Sequence, residues 1–230
     1  MHVEFYTMPS HRGTAVVWEG DYTAPWRDES IIAALPEGAW DGAVVRLALY
    51  EHTRTQPPRM VLQRARYFDY IGTNLSPQDC ERTDALGIAA LLFTADGQSI
   101  LQRRAPHLVI RPGLLGPSMS GTVEPDDLKG ATWLHQLDAR REIREELRVS
   151  NDEIAHVQLM GLIREPERAG APELMYRGSL TLTAAELLAR GPGPEGEVLC
   201  MDPMAAARLP DPTPPLRNLI SMAMREDMGR

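Results

Sequence analysis

Three carboxylates, Glu142, Glu145 and Glu146, stand within the run Arg141-Glu142-Ile143-Arg144-Glu145-Glu146-Leu147-Arg148-Val149. Apolar residues at Leu134, Leu137, Ile143 and Leu147 recur at intervals that predict a helix from about Leu134 onward. On such a helix, spacings of three and four place the three glutamates on neighbouring turns of one face. Like charges so placed repel by roughly 0.2–0.5 kcal/mol per pair unless something compensates them. Two arrangements can. The glutamates can pair with Arg140, Arg141, Arg144 and Arg148 on a solvated face. Alternatively they can hold a hard cation, Mg²⁺ or Mn²⁺, which takes oxygen ligands where zinc prefers nitrogen and sulfur. Spacing alone leaves both open.

The elements that must position these residues follow from the rest of the chain. Residues 1–82 read as a β-rich N-terminal unit, with strand-like runs at His2–Tyr6, Ala15–Trp18, Ala43–Tyr50 and Met60–Tyr67. A short helix is expected over Glu29–Leu35, and a turn at Gln56-Pro57-Pro58. Tyr67 to Leu75 reads as a strand end followed by a Gly-Thr-Asn turn, with Tyr67 and Tyr70 half-buried. Residues 83–230 form the second expected domain. It opens with a hairpin, Gly87–Phe93 and Ser99–Arg104, around Asp96-Gly97. Arg103 and Arg104 are either exposed strand-end residues or phosphate contacts. The loop Pro112–Pro117, with two glycines and two prolines, leads into Ser120-Gly121-Thr122, where a backbone without Cβ can approach a ligand closely. Strands are expected at Val157–Ile163, Leu174–Leu182 and Val198–Met201. A closing helix over Pro214–Asp227 carries Leu216, Leu219, Ile220 and Ala223 on one stripe.

The run Arg141–Val149 resembles the second half of the Nudix box: Arg-Glu-apolar-any-Glu-Glu-any-Gly-apolar. Three departures mark the likeness. Arg148 stands where the box has glycine, and Trp133 where it has an earlier glutamate. With Gly121 as the early glycine, the loop to the helix is six residues longer than the family's. A second likeness, to the animal-type branch that hydrolyses UDP-glucose and UDP-galactose, lies in Tyr67-Phe68-Asp69-Tyr70-Ile71-Gly72-Thr73-Asn74 and in Gly161-Leu162-Ile163-Arg164. The resemblance implies a Nudix α/β/α sandwich with a mixed sheet, preceded by the β-rich domain. It implies Mg²⁺ (or Mn²⁺) held by Glu142, Glu145 and Glu146, and Arg141 aiming one of those carboxylates. Glu142, Glu145 or a loop glutamate, Glu195 or Glu197, would serve as the general base. Tyr67, Tyr70, Thr73, Asn74, Arg103, Arg164 and Gly121 would contact substrate. The implied reaction cleaves a nucleoside diphosphate sugar to UMP and sugar 1-phosphate. ADP-ribose, a dinucleotide or coenzyme A is the alternative substrate, and a catalytically weak nucleotide-binding domain the alternative class. A homodimer is left open.

Composition narrows the partners. A chain of 230 residues with 43% hydrophobic and 24% charged content matches ordinary globular proteins. A net charge of -8 argues against nucleic acid, whose backbone wants a basic footprint. Cys80 and Cys200 are too few and too far apart for a disulfide framework or a zinc cluster. The N-terminal residues lack a signal-peptide pattern, and no apolar run reaches the roughly 20 residues of a membrane helix. A cytoplasmic location, away from membranes, is the expectation.

Overall fold

A computed structural model describes residues 4–6, 13–51, 58–164 and 171–228. Its first elements are β1 (Glu4–Tyr6), β2 (Ala15–Asp21), α1 (Glu29–Ala33), β3 (Ala43–Glu51), β4 (Arg59–Arg66) and α2 (Tyr67–Asn74). There follow β5 (Gly87–Phe93), β6 (Ser99–Arg104), β7 (Leu115–Gly116), β8 (Met119–Thr122) and α3 (Arg140–Leu147). The chain continues through β9 (Ile154–Arg164), β10 (Pro172–Leu180), α4 (Ala184–Leu188), β11 (Gly196–Met201), α5 (Pro203–Ala206) and α6 (Pro214–Met228). The class is α/β with a mixed sheet, as expected. Most of the expected turn at 56–58 and the loop 165–170 lie outside the described residues.

The chain divides into two compact units. The first gathers Met1–Gly87, Thr122–Asp138 and Gly161–Leu174, so two stretches well beyond residue 82 join the N-terminal residues. Its three-stranded sheet has the order β2-β4-β3, with β2 parallel and β3 antiparallel to β4. Val44, Val45, Met60 and Leu62 are fully buried there. The segment 122–138 is laced to this unit through backbone bonds from Val16 N to Thr132 O (3.0 Å), Leu134 N to Thr14 O (3.0 Å) and Val45 N to Val123 O (2.8 Å). β1 pairs antiparallel with the end of β9, Tyr6 opposite Leu162 and Glu4 opposite Arg164.

Two expectations need correction in this unit. Tyr67–Asn74 is a helix, not a strand end and turn, and Asp69 to Asn74 are buried in it. Gly72 and the β-branched Ile71 and Thr73 are poor helix formers, so local propensity pointed elsewhere. Tertiary contacts override that preference. Phe68 N donates to Asp41 Oδ1 (2.8 Å), and Asp28 N donates to Gly72 O (3.0 Å). A Cβ on Gly72 would lie 2.9 Å from Arg27 Cβ, so only glycine lets α2 approach this closely. The second correction concerns the helix expected from Leu134. Leu134–Gln136 form a single 3-10 turn, in which Gln136 Oε1 accepts from Thr132 N (2.8 Å) and Trp133 N (3.0 Å). Leu137 is extended (ψ 124°), and α3 begins only at Arg140.

In the second unit, Ile88–Gly121, Ala139–Met160 and Met175–Arg230, the strands follow the order β9-β10-β5-β6-β11, with β7 on β6 and β8 on β5. Ile88 to Leu92 are all buried, as a central strand requires. The hairpin is wider than a two-residue turn: Thr94 N bonds Gln98 O (2.9 Å), and Gly97 takes a φ of +81°. β11 runs antiparallel to β6, Glu197 opposite Arg103. On α6, Leu216, Leu219 and Ala223 are buried and Ile220 half-buried, so the expected stripe faces inward. On α3, Ile143 and Leu147 are buried, each contributing about 1.5–3 kcal/mol.

Helix α3 ends at Arg148 in the left-handed region, φ 54° and ψ 42°, the place where the box carries glycine. Arg190 braces this end, donating to Arg148 O (2.6 Å) and pairing with Glu153. A left-handed conformation costs a non-glycine residue about 1–2 kcal/mol. Arg148→Gly is therefore expected to stabilise the fold by about 1 kcal/mol, measured as a rise of a few degrees in Tm. The Arg190 guanidinium holds the Glu153 carboxyl at about 2, below its ordinary 4.5. A lowered folded pKa gives stability that is present above the unfolded value and lost as pH falls toward the folded one. Denaturation of Glu153→Gln should accordingly be less pH-dependent than wild type between pH 4.5 and about 2, with the wild-type advantage present above that window.

Candidate active site

Helical periodicity gives the three glutamates of α3 three different environments. Glu146 lies three residues after Ile143 and beside Leu147, so it shares their inward face and is 2% exposed. Glu142, one turn earlier, is partly buried, with 14% of its side chain exposed. Glu145 points outward, its side chain 58% exposed.

The carboxylate of Glu146 has half of what burial demands. Oε1 accepts from Ser120 N (3.1 Å), at the end of β8. Oε2 is buried with no hydrogen-bond partner among the described residues. Burial first, then the charges of Glu195 and Glu142, push its pKa well above the ordinary carboxylate range. The Ser120 N–H and Arg104 act the other way. Leaving a buried acceptor unsatisfied costs about 1–3 kcal/mol, and more for a charge.

Two glycines allow this crowding. A Cβ on Gly121 would fall 2.7 Å from Glu142 Oε1, so the β8 backbone lies directly against that carboxylate. A Cβ on Gly193 would fall 2.1 Å from Glu146 O, so the loop before β11 packs on the α3 backbone. That packing brings in Glu195, half-buried, with Oε2 3.8 Å from Arg104 NH1. Burial raises the Glu195 pKa, while Arg104 and His107 pull it down. Arg104 in turn donates to Ser120 Oγ (2.7 Å) and to Ile110 O (2.9 Å). Arg104 is thus part of the site's frame, with only 12% of its side chain exposed.

Arg141 spans the two outer carboxylates, donating to Glu142 Oε1 (2.9 Å) and Glu145 Oε2 (3.0 Å). The ion-pair arrangement is therefore present on the outer side of the helix, while the Glu146 carboxylate faces inward. Among the described residues, no three His, Cys, Asp or Glu side chains converge as an assembled metal cage. The donor set still suits a hard cation. It is all oxygen, like-charged, and includes a buried carboxylate oxygen without a partner.

The other expected site residues fall into distinct groups. Arg103 is 53% exposed and lies 3.8 Å from Glu197, which is 63% exposed. In the first unit, Tyr67 stacks at a tilt between Trp40 (centroids 5.4 Å) and Tyr70 (6.0 Å). Thr73 Oγ1 donates to Asp69 O (2.7 Å) and accepts from Thr83 N (3.0 Å). Asn74 is fully buried, donating to Asp84 Oδ1 (3.4 Å) and accepting from Asp84 N (3.2 Å). Arg164 forms an ion pair with the other oxygen of Asp84. Thr73, Asn74 and Arg164 thus belong to one internal network whose centre, Asp84, carried no signal in the sequence. Its φ of +52° is fixed by these bonds. Gly193 was equally silent, since a glycine in a Gly-Pro loop reads only as a turn.

No family model and no curated protein matches this chain. Solved structures do. A mutT/nudix family protein from Listeria innocua is similar at 18% identity over 64% of this chain and 95% of its own, with a TM-score of 0.47. The MutT protein from Methanosarcina mazei Go1 is similar at 17% identity over 62% and 94%, TM-score 0.43. The NUDIX domain of Shewanella oneidensis NrtR, solved in complex with ADP ribose, is similar at 19% identity over 66% and 93%, TM-score 0.42.

Proposed function

We propose that this chain is a Nudix-type hydrolase that cleaves the diphosphate of a nucleoside diphosphate derivative, with Mg²⁺ or Mn²⁺ as cofactor. The observation that carries the proposal is Glu146: a buried carboxylate, unpaired at Oε2, crowded by Glu142 and Glu195 on the helix that holds the Arg-Glu-Ile-Arg-Glu-Glu run. An uncompensated buried charge is costly, so its presence points to a bound cation or proton.

In this reading Glu142 and Glu146 hold the cation, with Glu145 at the outer edge. Such an ion neutralises phosphate charge and lowers the pKa of a water. The chain's own residues do the rest. Ser120 N–H keeps Glu146 oriented through Oε1. Gly121 lets the β8 backbone lie directly against the Glu142 carboxylate, where any side chain would push it aside. Arg141 restrains Glu142 and Glu145 by pairing with both carboxylates. Glu195, with a raised pKa and a partly exposed carboxyl, is better placed than Glu197 to accept a proton from water. Removing such a base costs about 10²–10⁴ in rate.

For the substrate we propose a nucleoside diphosphate sugar of the UDP-glucose kind, yielding UMP and sugar 1-phosphate. The support is the Tyr67–Asn74 and Gly161–Arg164 signatures. Here Thr73, Asn74 and Arg164 act by fixing Asp84 and α2 in place, and Tyr67 and Tyr70 supply aromatic surface. A second reading, a nucleotide-binding domain with weak turnover, draws on one observation: Arg141 already occupies two of the three helix carboxylates.

Phosphorus NMR with Mg²⁺ and, in parallel, UDP-glucose, UDP-N-acetylglucosamine and ADP-ribose tests these readings. UMP and sugar 1-phosphate from a UDP-sugar are expected. Cleavage of ADP-ribose alone would overturn the sugar-nucleotide substrate and keep the chemistry. Saturable nucleotide binding without turnover would favour the second reading. Glu146→Gln should lower kcat/KM by at least about 10²-fold. Its Tm should hold or rise, because an unpaired buried charge is removed. Gly121→Ala, which pushes on Glu142, should lower kcat by roughly 10-fold or more with little change in far-UV dichroism.

A further inference from the structure

The segment 122–138 carries the six residues by which this chain exceeds the box spacing, and in the first unit it does more than bridge a gap. Pro125–Leu128 make a 3-10 turn, and Gly130 takes a φ of +79° to reverse the chain. Between this turn and strands β2 and β4 lies a cavity of about 400 Å³. That is within the roughly 300–1,000 Å³ typical of small-molecule sites. Trp18 stands in its wall and is 45% exposed, an unusual placement for so large an apolar ring. Leu128, buried, and Pro125 supply the apolar lining.

Two cations also line it, Arg64 from β4 and Lys129 from the turn. Both are exposed, and neither forms an ion pair among the described residues, although the chain is acidic overall. An exposed indole beside two cations that have no ion-pair partner among the described residues suits an aromatic ligand carrying an anionic group. Asp126, also on the lining, can accept from an amino or hydroxyl group of the same ligand.

We propose that this cavity is a ligand site for a planar heteroaromatic anion of the nucleoside monophosphate class. The ring lies on Trp18, and the phosphate is taken by Arg64 and Lys129. All of the lining residues belong to the first unit and none to the α3 carboxylate site, so the proposal does not depend on the reaction at Glu146.

Isothermal titration of the full chain in EDTA with UMP, AMP and inorganic phosphate tests it. The expected result is one saturable nucleotide site, at least about ten-fold tighter than phosphate because base–aromatic stacking contributes. Trp18→Ala and Lys129→Ala should each weaken it by about ten-fold, and both replace exposed side chains that the fold does not need. Binding should persist in Glu146→Gln, which separates this site from the one on α3. No saturation in the millimolar range would overturn the proposal, as would equal affinity for phosphate. So would binding that ignores both the Trp18 and Lys129 substitutions, or binding lost in Glu146→Gln.

Discussion

One buried carboxylate organises the second unit. Glu146 sits on the face of α3 that also buries Ile143 and Leu147, where an apolar residue would be the ordinary choice. The helix cannot turn it out to solvent without exposing its own hydrophobic contacts. The surroundings therefore meet the charge part-way: one backbone N–H at Ser120, and Arg104 near enough to moderate it. The remaining oxygen is left without a partner.

The contacts around Glu146 are set by backbone, and that makes glycine decisive at two positions. Gly121 and Gly193 let β8 and the loop before β11 reach α3 at distances no Cβ would allow. Arg104 then joins three parts of the frame, bonding Ser120, Ile110 and the neighbourhood of Glu195. Arg141 works differently. It clamps Glu142, which is partly buried, and Glu145, which is exposed.

The first unit shows how polar residues that look like ligand contacts can be consumed by structure. Asn74 and Arg164 both end on Asp84, and Thr73 ties α2 to the backbone at Thr83. A Gly-Thr-Asn run reads as a turn because each residue disfavours helix. The bonds to residues 83 and 84, ten positions along the chain, reverse that preference. Similarly, Leu134 and Leu137 fit a helical period but are buried from a 3-10 turn and an extended residue. Burial periodicity over so few residues does not distinguish those conformations.

What the sequence determined by itself is the part governed by local pattern. The strands alternate or run apolar where β2, β3, β4, β5 and β6 form, and the spacing of Glu142, Glu145 and Glu146 on a helix follows from 3.6 residues per turn. The grouping of the carboxylates on one helix was legible for the same reason. Which glutamate would be buried was not, because that depends on which face of α3 meets the sheet. Nor was the approach of Glu195, set by the close packing of Gly193 on the α3 backbone. Long-range contacts also chose helix for Tyr67–Asn74, and turned the extra residues of 122–138 into a cavity wall beside Trp18. These are outcomes of packing between segments distant in the chain, which only the tertiary structure decides.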